Sequence, residues 1–75
     1  MTEIIEVLRG IVQRVTYHNP ENGWSVLKVS QFNSPGQQDT VTVHQTRVFA
    51  GATMEFRGAW TMHSQFGRQF KATEA

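Results

Sequence analysis

The stretch Leu8-Arg9-Gly10-Ile11-Val12-Gln13-Arg14-Val15-Thr16-Tyr17 decides the fold. Its β-branched residues and terminal aromatic are those of a strand. Strand side chains alternate between faces with period two, so Val12 and Val15 cannot share a face in a regular strand. A bulge or sharp coil near Gln13-Arg14 restores the phase, with Gly10 and Gly58 as bend points. A long first strand that bends in this way is a device barrels need in order to close. Residues 2–8 are open to a helical turn or to the start of this strand, and the strand is preferred.

Outward from that stretch, turn-forming clusters recur at His18-Asn19-Pro20-Glu21-Asn22-Gly23, Asn33-Ser34-Pro35-Gly36, Ala50-Gly51-Ala52 and His63-Ser64-Gln65-Phe66-Gly67. Between them lie runs rich in Val, Thr and aromatics: Leu8–Tyr17, Trp24–Phe32, Thr40–His44, Met54–Met62 and Gln69–Thr73. Alternation places Val41 and Val43 opposite Thr40, Thr42 and His44, and Met54, Phe56 and Trp60 opposite Glu55, Arg57 and Thr61. Five short strands at this spacing predict an all-β domain, a small OB-fold barrel ahead of an SH3-like one. Little or no helix is expected, because Gln45 to Thr53 has room only for a turn or a short 3₁₀ segment. Asn22-Gly23 and Phe66-Gly67 read as turns in which glycine takes a positive φ.

The chain is a single domain over residues 1–75, with 39% hydrophobic and 17% charged residues. That is the balance of a folded protein. It has no cysteine, so no disulfide reinforces it. Folding terms nearly cancel in a domain this small, and the eight aromatics are the obvious core material. Trp24 and Trp60 are both expected inside, whereas Phe66, between Gln65 and Gly67 on a turn, is expected outside. No apolar run is long enough to span a membrane, so an intracellular protein without a membrane partner is expected.

Catalytic signatures are lacking. There is no Gly-x-x-x-x-Gly-Lys-Ser/Thr phosphate loop and no cysteine nucleophile, and Ser25, Ser30, Ser34 and Ser64 sit in no nucleophile elbow. His18, His44 and His63 fall in three separate segments without metal-ligand spacing, which favours loop histidines bonded to backbone. Neither an enzyme nor a metal or cofactor site is expected.

The net charge of +1 does not by itself point to nucleic acid, but Arg57, Arg68 and Lys71 lie among aromatics near the C-terminus with only Glu55 close by. Aromatic and basic residues interleave over Tyr17–Trp24 and Trp60–Lys71. In an OB-fold these are the connections that flank the ligand cleft. Single-strand binding needs flat π-faces for bases and cations for phosphates, and this mixture supplies both.

These two segments also resemble a known family. Arg9 to Val29, containing Gly10-Ile11-Val12 and Tyr17-His18-Asn19-Pro20-Glu21-Asn22-Gly23-Trp24, is followed by Gly58-Ala59-Trp60, His63 and Phe66-Gly67-Arg68-Gln69-Phe70. The pattern is similar to the N-terminal OB-type domain of RecD-like ATP-dependent DNA helicases, the exodeoxyribonuclease V alpha-like group. It departs at Trp24, where the family tends to have Phe or Tyr, and at Ser64-Gln65-Phe66, where Pro-Lys-Tyr is usual. The resemblance implies an excised N-terminal domain of a longer helicase, or a short stand-alone relative, with a cytoplasmic role in DNA repair or recombination. Its expected role is that of a non-catalytic accessory to a 5′-to-3′ motor. Its expected partners are single-stranded DNA and the motor domain of the same parent chain. The residues expected to hold DNA are Phe66, Arg68 and Lys71, supported by Arg14, Lys28 and His63. The alternative is a protein-interaction or interdomain docking module without DNA contact.

Overall fold

The computed structural model describes residues 5–34, 36–44 and 48–75. Five strands follow one another, β1 (Glu6–His18), β2 (Trp24–Gln31), β3 (Gln38–His44), β4 (Thr53–His63) and β5 (Gly67–Glu74). They close a barrel in the order β1-β2-β3-β5-β4. No helix occurs among the described residues. The five-stranded OB-type architecture expected from the sequence is therefore the one observed. The first strand includes Glu6 and Val7; residues 2–4 of the segment read as strand, and residues 45–47 of that read as a turn, lie outside the described residues.

Closure depends on β1 serving two neighbours. Its Gly10–His18 portion pairs with β2, while Glu6 to Ile11 pairs with β4. The register slips between Val12 and Arg14 and again between Val15 and Tyr17. The first slip is the bulge expected near Gln13-Arg14, and it lets Val12 enter the core while Val15 packs against it. The parallel pairs Val41↔Phe70 and Thr42↔Lys71 close the barrel on the far side. Gly10 and Gly58 stand where backbones cross most closely. A Cβ on Gly10 would lie 2.1 Å from the Ser30 carbonyl oxygen, and one on Gly58 would lie 2.0 Å from that of Lys71.

The core consists of Leu8, Val12, Leu27, Val29, Val41, Val43, Phe56, Phe70 and Ala72. Two aromatics are fully buried, not eight. The interior of a small barrel is filled by side chains sized to its taper, and two phenyl rings with six Leu and Val side chains fill this one. Trp60 is half-buried and packs edge-on to Phe70, with ring centroids 5.2 Å apart and planes at 82°. Trp24 is half-buried on the outer face, so the expectation of two core indoles fails for Trp24 and holds only in part for Trp60. Tyr17, Phe32, Phe49 and Phe66 are exposed.

An alanine at an ordinary strand position is better than glycine by roughly 0.5–1 kcal/mol. At Gly10 and Gly58 the sign should reverse, because the new methyl meets backbone that cannot yield. Gly10→Ala and Gly58→Ala should each cost at least the ~1–3 kcal/mol of overpacking. A domain of this size loses about 4–8 °C in Tm per kcal/mol. Thermal unfolding followed by circular dichroism checks this, and a variant as stable as the parent would contradict the crossing geometry.

Candidate nucleic-acid interface

The β2 pattern places Ser25, Leu27 and Val29 inside and Trp24, Val26 and Lys28 outside. On β3, Val41 and Val43 point in, and Thr40, Thr42 and His44 share the outer side by alternation. Of these, Val26, Lys28, Thr40 and Thr42 form the floor of a groove of about 540 Å³, edged by Trp24, with Thr16 and Tyr17 on one side and His63, Phe66 and Gln69 on the other. Among the described residues no carboxylate lines it. The two walls stand beside the β1–β2 and β4–β5 connections: Thr16 and Tyr17 lie at the end of β1, His63 ends β4, Phe66 lies on the turn and Gln69 is in β5.

Each connection is held by its own polar side chains. In Asn19–Gly23, Asn19 Oδ1 accepts from the Glu21 amide and Asn22 Oδ1 from the Trp24 amide, both at 2.9 Å. The Asn19 amide donates to the Trp24 carbonyl, and Gly23, at φ 78°, donates to the Asn19 carbonyl. The Ser25 hydroxyl donates to the Gly23 carbonyl at 3.1 Å and lies 2.7 Å from His18 Nδ1. The Asn-Pro-Glu-Asn-Gly string is thus a rigid hairpin closure that sets Tyr17 and Trp24 at the groove. In the second turn, the amides of Gln65 and Phe66 both donate to His63 Nδ1, at 3.0 and 3.1 Å. Gly67, at φ 78°, returns the chain into β5.

Aromatic faces stand at the groove edges. Trp24 packs on His44 with centroids 4.7 Å apart, and Phe66 on His63 at 4.8 Å. Phe66 is 69% exposed, as its place on the turn predicts.

Charge divides between two faces. Glu55 bonds the Arg9 Nε at 2.8 Å and lies 3.4 Å from Arg57 Nη2. The hydrogen bond from Arg9, then its charge, holds the Glu55 carboxyl below the usual carboxylate range. Among the described residues, Arg14, Lys28, Arg68 and Lys71 make no ion pair.

The family model described as ATP-dependent DNA helicase YrrC, OB-fold domain, matches residues 5–75. The chain belongs to this helicase OB-fold family. The resemblance to the N-terminal OB domain of RecD-like helicases agrees with that membership. No match was found among curated proteins or among solved structures.

Of the six residues singled out from the sequence, Lys28, His63 and Phe66 line the groove, whereas Arg14, Arg68 and Lys71 are not among its lining residues. Arg14 sits directly across from Lys28 on the outer face of β1 and β2. Lys28 Nζ donates to Thr40 Oγ1 at 2.6 Å on the groove floor. Lys71 is the register partner of Thr42, on the same sheet face. Phe66 and His63 form the rim. Arg68 is set apart: it has the parity of Phe70, and its guanidinium lies over the Trp60 ring, 3.8 Å from the centroid. The sequence places the Tyr17–Trp24 and Trp60–Lys71 segments beside the cleft but does not single out Trp24, Tyr17 or Gln69 as binding residues, and it gives no cleft position to Thr16, Val26, Thr40 or Thr42. Lys28 was the available signal, since a lysine two and four residues from Val26 and Trp24 marks all three as outward.

Trp60 and Phe66 should therefore separate stability from surface chemistry. Trp60→Ala should destabilise toward the lower end of the ~3–5 kcal/mol cost of removing a core aromatic. Phe66→Ala should stay within about 0.5 kcal/mol of the parent, as surface changes do. Urea unfolding of both variants measures the contrast, and equal midpoints would contradict the placement of Trp60 against the core.

Proposed function

We propose that this domain is a non-catalytic accessory module of a RecD-like helicase that holds single-stranded DNA along the outer groove, in cytoplasmic DNA repair or recombination. The observation that carries this reading is the groove itself: an acid-free channel on the outer β2–β3 face, rimmed by Trp24, Tyr17 and Phe66, with Arg14, Lys28 and Lys71 on the same face and without carboxylate partners among the described residues. Bases stack on the aromatic faces while the cations neutralise phosphates. Base–aromatic stacking is tolerant of sequence because every base has a π-face. Arg68, over the Trp60 ring, supplies a further cation outside the groove lining.

A second reading has its own observation. Val7 and Ile11 are exposed on the outer face of the first half of β1. The Phe32 amide bonds the Arg9 carbonyl at 3.1 Å, and Val7, Arg9, Gln31, Phe32 and Asn33 line a second hollow of about 390 Å³. This face shares no residue with the groove lining. It suits docking against the motor domain of the parent helicase, an association that would be insensitive to salt.

Binding of single strands releases counterions with a slope of about −0.7 per phosphate neutralised. Three or four cations predict a loss of affinity for labelled oligothymidine of about 20- to 50-fold over a fourfold rise in salt. Lys28→Gln should flatten the slope by about 0.7. Phe66→Ala should weaken binding by the ~1–3 kcal/mol of one stacked base, about 5- to 150-fold. No binding at low salt, or binding indifferent to salt, would contradict the proposal.

A further inference from the structure

His63 is unlike the other two histidines in what its ring does. It lines the groove, yet its Nδ1 is already committed, accepting from two successive turn amides, those of Gln65 and Phe66. A nitrogen that accepts N–H groups carries no proton, so this geometry places the ring hydrogen on Nε2. The same ring packs on the Phe66 side chain at an interplanar angle of 34°. One side chain thus holds both the backbone and the ring of the exposed aromatic.

We infer that His63 is a positioning residue: it presents Phe66 to the groove through its Nδ1 acceptor rather than serving as a cation for phosphate. The inference rests on the groove being the DNA-binding face. Its chemistry has two internal counterparts. Asn19 and Asn22 fix the β1–β2 connection by accepting backbone amides two residues on, as His63 does from Gln65. Asparagine and aspartate side chains commonly make this turn. Nδ1 of histidine and Oδ1 of asparagine are both bonded to Cγ, so an asparagine at this position can accept from the same amides. Each connection that flanks the groove is thereby set by a side-chain acceptor, and in each the residue so oriented is an aromatic of the groove: Trp24 in the first, Phe66 in the second.

Two variants of the whole 75-residue chain separate the acceptor from the ring. His63→Asn keeps an acceptor on Cγ and removes the imidazole; His63→Phe keeps an aromatic ring and removes the acceptor. Oligothymidine titration at low salt should find His63→Asn within about threefold of the parent. His63→Phe should lose about fivefold or more, approaching Phe66→Ala. Nitrogen NMR should find the parent imidazole in the Nε2–H tautomer, and amide exchange at Gln65 and Phe66 should quicken in His63→Phe but not in His63→Asn. Full affinity in His63→Phe, a loss in His63→Asn as large as in Phe66→Ala, or an Nδ1–H tautomer would overturn the inference. Should the parent fail to bind oligothymidine, the DNA reading falls alone, and the tautomer and exchange measurements still decide whether His63 holds the turn.

Discussion

Two backbone crossings without side chains make this barrel possible. At Gly10 the first strand leaves β4 for β2, and at Gly58 the fourth strand passes β5 with a register slip beside it. Both approaches leave no room for a Cβ. From these crossings follow the strong coil of β1, its division between two neighbours and the elimination of a free edge on that side. The groove follows as well, because the β1 segment beyond Gly10 carries Arg14, Thr16 and Tyr17 onto the face shared with β2 and β3.

A narrow barrel has a further consequence for where the large residues go. Once Phe56 and Phe70 are inside with the aliphatic side chains, little interior volume is left for another ring. The remaining aromatics must lie at the barrel end, as Trp60 does, or outside, as Trp24, Tyr17 and Phe66 do. Surplus aromatic area on the outer face is what a stacking surface requires. The charges sort in parallel: Glu55 engages Arg9 and Arg57 on the β1–β4 face, while the β2–β3 face presents its basic residues opposite hydroxyls and aromatics.

Much of the fold was legible because turns and phase leave local marks. Asn22-Gly23 and Phe66-Gly67 announced their hairpins, and the conflict between Val12 and Val15 announced the bulge at Gln13. The groove was legible in Lys28 and in Phe66, whose flanking turn residues signal exposure, while Arg14, Arg68 and Lys71 fall outside its lining. Trp24 was not, for a physical reason. The size of the indole and the thin stability of a small domain argue for burial, but barrel volume is set by strand number and taper, which no single residue reveals. Val26 compounded the difficulty: an apolar residue on the outer face blurs the alternation of β2, leaving Lys28 as the marker of parity. Arg68 shows the same limit from the other side, since only the three-dimensional arrangement reveals that its guanidinium is laid over Trp60.

The proposed surface for single-stranded DNA is the outer β2–β3 face and not the apolar face of β1. Amide chemical-shift mapping of the isotopically labelled domain with oligothymidine at low salt tests this most directly. Shifts should concentrate at Thr16, Tyr17, Trp24, Lys28, Thr42 and Phe66, with Val7, Ile11 and Phe32 unmoved. Shifts centred on Val7, Ile11 and Phe32, or none anywhere at saturating oligonucleotide, would contradict it.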